Sequence, residues 1–220
     1  MNILLNIHHS VENYVENTLK KVDFNIIRIL SLYLSILKIK EFMFGSLIKK
    51  KLTDNQVANI FINALFDSVD NGFSIIAQWI NEDPAFNESP KIDVANNSEF
   101  ALIVIVGNLS LLESTFETSQ AERVEKLIYE KLAKIYEISE LDIRNIIKEY
   151  RSFINRINMP SKNMIYGMSK AVFFKYNLNE YQDDYFKRMQ VPNPLFLKRM
   201  DEIMGNYLWN WDAFFKKFKI

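Results

Sequence analysis

Apolar side chains recur at intervals of three or four residues along almost all of this chain, and residues that favour turns are rare. The 220 residues include only five glycines and five prolines. That number is too small for a turn-rich β-sandwich or for a glycine-rich phosphate loop. Hydrophobic residues make up 49% of the sequence, which is enough for one well-packed core. The sequence therefore predicts an all-α protein, a compact bundle of about eight helices in a single domain over residues 1–220.

Capping residues indicate where several helices begin. A side-chain acceptor placed just before an apolar-periodic run can bond the free N–H groups of the first helical turn. Breaks are predicted at Asn71-Gly72, with a second short helix after it, and at Pro160. The predicted caps are Asp23, Thr53 with Gln56, Ser119 with Glu122, Ser139, and Asn193 followed by Pro194 at the first helical position.

One uncharged and very apolar run, Phe100 to Leu112, predicts the middle of the core. Its β-branched part, Ile103–Val106, would also suit a strand, but no second run of this kind is present to pair with it. We therefore expect a central buried apolar helix near residues 98–117, in which Gly107 lets another helix come close. The run is shorter than the roughly 18 residues of a membrane-spanning helix, so no membrane span is predicted.

Two of the three tryptophans lie in the closing stretch "NYLWNWDAFFKKFKI". A single helix from Asn193 onward would place most of the large apolar side chains there on one stripe, which docks on the core. Trp209 projects on the opposite, polar face of that helix. Because tryptophan is over-represented among interface anchors, Trp209 is the predicted partner-binding residue. The alternative is that another part of the same chain covers it.

Charge is balanced overall and uneven along the chain. Lysine and arginine total 27, as do aspartate and glutamate. Residues 52–118, however, carry ten acids and one base, whereas the segments on either side carry more bases than acids. Folding could place the acidic region 52–118 against the basic ends, or it could present an acidic face to a partner. The first arrangement is the simpler one, because compact domains usually intersperse the two signs.

The sequence offers little material for catalysis. Cysteine is absent, which removes thiolate metal sites and cysteine nucleophiles, and it suits the reducing conditions of a cytoplasmic protein. The only histidines are His8-His9, and adjacent side chains do not converge on one centre. We therefore predict no cofactor and no catalytic residue. Carboxylate pairs that could hold a metal are Asp67 with Asp70, Glu113 with Glu117, and Asp183 with Asp184.

Between Glu149 and Glu180 the chain has no acid, and basic residues alternate there with aromatic ones. Cations can hold a nucleic-acid backbone while aromatic rings stack on its bases. The same pattern also suits a solvated flank that faces the acidic region. The candidate anion-binding or nucleic-acid-binding residues are Arg151, Arg156, Lys162, Lys170 and Lys175.

The pattern as a whole favours a non-enzymatic helical module with a binding or regulatory role. We expect it to act through protein–protein contacts, with a protein partner or a second copy of the chain. The first alternative is an anion or nucleic-acid binder that uses residues 151–176. The second alternative is a metal-dependent enzyme with carboxylate ligands.

Overall fold

Helices dominate the computed structural model, which describes residues 49–220. The predicted all-α bundle is confirmed, although the helix count differs slightly from eight. The helix that Asp23 was predicted to cap and the pair His8-His9 lie outside the described residues, so the single domain over 1–220 stays a prediction. The α-helices are α1 (Asp54–Asn81), α2 (Ser98–Leu109), α3 (Leu112–Thr115), α4 (Thr118–Ile135), α5 (Glu140–Asn158), α6 (Met164–Lys175), α7 (Asp184–Met189), α8 (Pro194–Met204) and α9 (Trp211–Lys217).

Smaller elements complete the described range. Single 3₁₀ turns cover Leu178–Tyr181 and Gly205–Tyr207. Two-residue strands, β1 (Lys50–Lys51) and β2 (Phe218–Lys219), pair in parallel with Lys50 opposite Phe218. This pairing holds the residues before α1 beside those after α9.

Helix α2 is the centre of the bundle, as the sequence predicted. It contacts α1, α5 and α6, and nine of its twelve residues are buried. The run Ile103–Val106 is helical and fully enclosed. A Cβ atom at Gly107 would lie only 2.3 Å from the sulfur of Met168, so this glycine does allow α6 to approach closely. The central helix is shorter than expected, since it ends at Leu109 and the chain turns before α3.

The predicted break at Asn71-Gly72 is wrong, because α1 runs through it as one helix of 28 residues. The capping box of Thr53 and Gln56 at its start is present as predicted. Gly72 serves packing rather than termination: a Cβ atom there would lie 2.0 Å from the hydroxyl oxygen of Tyr207. The glycine thus makes room for a buried tyrosine that comes from the other end of the described chain.

Several other helix boundaries agree with the sequence-based predictions, and one N-cap prediction does not. Ser139 caps α5 by accepting from the Asp142 N–H, and the Asn193 side chain caps α8 in front of Pro194. Helix α5 ends just before Pro160, as predicted. The Ser119 and Glu122 box is wrong, because α4 already begins at Thr118 and Glu117 occupies its N-cap position.

The single closing helix predicted after Asn193 is also wrong. The chain is helical to Met204, makes a 3₁₀ turn, becomes extended at Leu208 and starts a new helix at Trp211. The Asn210 side chain caps this last helix by accepting from the Ala213 N–H. The break lets aromatic residues on both sides of it pack into the core.

A buried side chain, Asn108 on α2, holds this break in place. Its Nδ2 donates to the carbonyl oxygens of Val104, at 2.8 Å, and of Tyr207, at 2.7 Å. Its Oδ1 accepts from the backbone N–H of Trp209, at 2.6 Å. Asn108 is 0% exposed, so backbone groups released by the break find their partners inside the core.

Two helical stretches, Asp54–Asn81 and Ser98–Thr115, are long and apolar enough to cross a membrane when judged by length and composition alone. In the most apolar 18 residues of each stretch, 44% of the first and 56% of the second are buried inside the fold. Core helices of water-soluble proteins pass the same test, so these two stretches are weak evidence for a span. The absence of a membrane span stays a prediction.

We expect Asn108→Ala to lower the free energy of unfolding by roughly 2–5 kcal/mol, because the Tyr207 carbonyl and the Trp209 N–H would both lose their buried partner. Urea unfolding followed by circular dichroism measures the change. Ser110→Ala, at the C-cap of α2, is the matched control, since the Ser110 hydroxyl donates to a carbonyl of that same helix, the Val106 carbonyl. A variant at position 108 as stable as the parent would contradict the role given to this side chain.

Candidate functional site

Large apolar side chains stay exposed on the segment that covers α7 and the start of α8. Tyr185 is 64% exposed, Met189 59%, Val191 42% and Leu195 65%. We call these four residues the 185–195 surface. Single exposed apolar residues are common, but four of them within eleven residues of the sequence make this segment a candidate interaction site.

Hydrogen bonds fix the backbone under this surface. Gln182 is 3% exposed, and its Nε2 donates to the carbonyl oxygen of Val191 at 3.0 Å. Its Oε1 accepts from the Asn193 N–H at 2.7 Å, so one side chain joins both ends of the segment. Asp183 caps α7 by accepting from the N–H groups of Tyr185 and Phe186. The exposure of the four side chains is therefore built into the fold.

Trp209 lies in the break between α8 and α9 and not on the polar face of a helix. Its ring contacts Phe61, Trp211 and Phe214 with centroid separations of 6.0 or 6.1 Å. The residue is half-buried, and its Nε1 has no hydrogen-bond partner within residues 49–220. Its partner-binding role stays a prediction. The contact with Phe61 means that removing the ring would also disturb the chain's own packing.

Most of the five predicted anion-binding residues make contacts within the described chain. Arg151 pairs with Glu125 at 3.0 Å, and Lys175 pairs with Glu99 at 3.2 Å. Arg156 lies over the ring of Phe153, at 5.7 Å from its centroid. The ion pairs compete with any phosphate for Arg151 and Lys175. They give the nucleic-acid alternative less support, and it too stays a prediction.

The other two cations differ in their surroundings. Lys162 is exposed on the loop between α5 and α6. The Lys170 ammonium donates to the Ile157 carbonyl oxygen at 3.0 Å and lies 4.6 Å from the centroid of the Tyr166 ring. Four of the five cations are therefore already in contact with other groups of the described chain.

Ion pairs join the acidic region 52–118 to the basic part of the chain that follows it. The most enclosed is that of Asp83, whose side chain is 1% exposed and which accepts from both Nε and a terminal nitrogen of Arg199, at 2.9 and 2.5 Å. Asp54 pairs with Arg123 at 2.7 Å, and Glu99 pairs with Lys175. Part of the acidic region is thus neutralised by ion pairs within the described chain, which agrees with the simpler of the two predicted arrangements.

Carboxylates of the predicted metal-binding pairs bond other groups of the described chain or lie in different elements. Asp70 accepts from the Asn97 side chain at 2.8 Å. Glu113 lies on α3 whereas Glu117 occupies the N-cap position of α4, so this pair does not share one helix face as spacing along a single helix would require. Within the described residues, no three histidine, aspartate or glutamate side chains are grouped closely enough to hold a metal ion.

Buried tyrosines form a polar network around the start of α2. The Tyr150 hydroxyl donates to Glu99, and the Lys175 ammonium lies 3.9 Å from the centroid of the Tyr150 ring. The Tyr176 hydroxyl accepts from the Phe100 N–H at 3.2 Å. Burial raises the pKa of both phenols, and the Glu99 carboxylate raises them further. Both groups therefore remain protonated in the folded protein.

The same effect extends to two other tyrosines. Burial, followed by the charge of Glu125, raises the pKa of Tyr129 to about 12. Burial alone raises the pKa of Tyr207, which packs against Gly72. The neutral phenol is thus the form that the folded core accommodates at each of these positions.

No pattern in the sequence pointed directly to the 185–195 surface. Tyr185 and Met189 are four residues apart, which places them on one side of α7, but a six-residue helix is too short for a periodicity argument. Leu195 follows the α8 cap and reads equally well as a core residue. Gln182 holds the backbone that carries these side chains, but which of them stay exposed depends on the tertiary fold.

We expect the protein to lose stability as the pH rises above about 10, the ordinary pKa of tyrosine. Below that pH both states hold the phenolic protons. Above it the unfolded chain releases them while the folded chain, with its raised pKa values, retains them, so unfolding becomes favoured. Urea unfolding at several pH values, with tyrosinate absorbance recorded in parallel, measures the effect. Complete tyrosinate formation near pH 10 in a protein that is still folded would contradict it.

No protein-family model matches the sequence, and comparisons with curated proteins and with solved structures find no match.

Proposed function

We propose that the protein is a non-enzymatic helical module that acts through protein–protein contacts made by the 185–195 surface. The observation that supports this most is the exposure of Tyr185, Met189 and Leu195 on backbone fixed by Gln182. Covering a side chain of this size is worth roughly 1.5–3 kcal/mol. Three such side chains on fixed backbone can therefore bind a partner without a large cost in chain ordering.

The partner that best fits this surface is a second copy of the chain. Helix α7 carries an exposed acid, Asp184, in its first turn and an exposed base, Arg188, in its last turn. A two-fold axis across α7 would set the helices of two copies antiparallel. Asp184 of one copy would then lie beside Arg188 of the other at both ends of the contact. An isologous interface requires a surface that complements itself in this way.

The apolar residues fit the same arrangement. Tyr185 and Met189 lie four residues apart and share one side of α7, next to the side that carries Asp184 and Arg188. Antiparallel pairing would bring Tyr185 of one copy against Met189 of the other, with Leu195 beside them. An apolar centre with charged ends is the usual composition of a protein–protein interface.

We expect Leu195→Glu to weaken self-association by roughly 10- to 100-fold, because the apolar burial of about 1.5–3 kcal/mol is lost and a charge is placed in the contact. Sedimentation equilibrium over a range of concentrations measures the dissociation constant. Leu141→Glu is the matched control, since Leu141 is 67% exposed and lies on α5, away from the 185–195 surface. A parent protein that stays monomeric at the highest soluble concentration would exclude the second copy as partner.

A charge exchange tests the two-fold arrangement itself. Asp184→Arg alone and Arg188→Asp alone should each weaken the dimer, because like charges then face each other across the axis. The variant with both substitutions should recover most of the affinity, since the complementary pairs are restored in reverse. These changes are expected to be smaller at high salt, which screens exposed pairs. A double variant that associates as weakly as the single ones would contradict antiparallel pairing of α7.

A further inference from the structure

A depression of about 510 Å³ lies between the loop after α5, the beginning of α6 and the middle of α8. Its walls include Pro160, Asn163, Tyr166, Lys170 and Asp201. Small-molecule sites commonly have volumes of about 300–1,000 Å³. The depression is separate in sequence from the 185–195 surface, and its lining is chemically different, because it combines both signs of charge with an aromatic ring.

Lys170 and Asp201 face the same depression without forming an ion pair with each other. The ion pairs among residues 49–220 include neither of them. The Lys170 ammonium is instead held by the Ile157 carbonyl oxygen and the Tyr166 ring. An ammonium carries three N–H donors, so this one keeps donors for a further acceptor.

The carboxylate of Asp201 lacks a hydrogen-bond donor for one of its oxygens. Its Oδ1 is buried and has no hydrogen-bond partner among the described residues. Burial raises the pKa of Asp201, and the Ser169 side chain only partly opposes this. Removing a carboxylate oxygen from water without a donor is costly. Because Oδ1 itself is enclosed, a cation in the depression would act on the carboxylate as a whole: the negative charge would attract it, and its positive charge would offset part of that cost.

We propose that this depression binds a small zwitterion whose amino group pairs with Asp201 and whose carboxylate pairs with Lys170. The carbon chain between them would lie against the Tyr166 ring and Pro160. A simple anion would be repelled by Asp201, and a simple amine would be repelled by Lys170. A molecule with both groups satisfies both side chains, and the distance between its charges sets which member of a series fits best.

Titration calorimetry with unbranched amino acids of increasing length tests this directly. The probes are glycine, β-alanine, γ-aminobutyrate and ε-aminocaproate, with butylamine and butyrate as molecules that carry only one of the two groups. We expect one chain length to bind most tightly, and both single-charge probes to bind at least about tenfold more weakly than that amino acid. Butyrate binding as tightly as the best amino acid would show an anion site and would overturn the proposal.

Substitutions in the full chain connect that binding to the two side chains. Asp201→Asn and Lys170→Met should each weaken the best probe at least about tenfold, whereas Lys162→Met, which removes a lysine between the lining residues Ser161 and Asn163, should leave it unchanged. Circular dichroism confirms that each variant is folded. If Asp201→Asn does not fold, Lys170→Met still decides the outcome. Absence of binding by all four amino acids, or unchanged affinity in the folded variants, would refute the site.

Discussion

The carboxamide of Asn108 allows a helix bundle to contain a break at its centre. Helix α2 is apolar on nearly every side, so it offers few partners to backbone groups of a neighbouring segment that has left its own helix. Asn108 supplies both a donor and an acceptor at that point, to Tyr207 and Trp209. The aromatic residues before and after the break can therefore enter the core together. Asn108 thus supports the packing of α1 against the end of the described chain, together with the β1–β2 pairing and the Phe61–Trp211 contact.

Patterns in the sequence predicted those features of the fold that depend on residues close together in the chain. The caps at Thr53 and Ser139 and the apolar run of α2 were predicted correctly, because each is decided by residues a few positions apart. The continuation of α1 through Gly72 was not predicted, since the residue that explains it, Tyr207, is remote in sequence. The break near Leu208 was missed for the same reason: its compensation lies on another helix, at Asn108.

The candidate sites were harder to predict than the fold. Periodicity shows which side chains a helix can bury together, but exposure depends on what the remaining helices leave uncovered. Trp209 was the predicted partner-binding residue because a single closing helix would place it on the polar face. Lys170 was predicted to contact anions because it lies in an acid-free stretch of alternating basic and aromatic residues. The position of Asp201 in the same depression could not have been foreseen, because it comes from the packing of α8 on α6.

The contact between Gly72 and Tyr207 makes closure of the core depend on residues that are far apart in the sequence. The Tyr207 hydroxyl fills space beside the middle of α1, while the Trp211 ring stacks on Phe61 and Phe214 packs against Trp211. The interior beside α1 therefore cannot be completed by neighbouring helices alone. Because contacts between remote segments require a long loop to close first, we expect folding to be slower than in a bundle held together by local contacts.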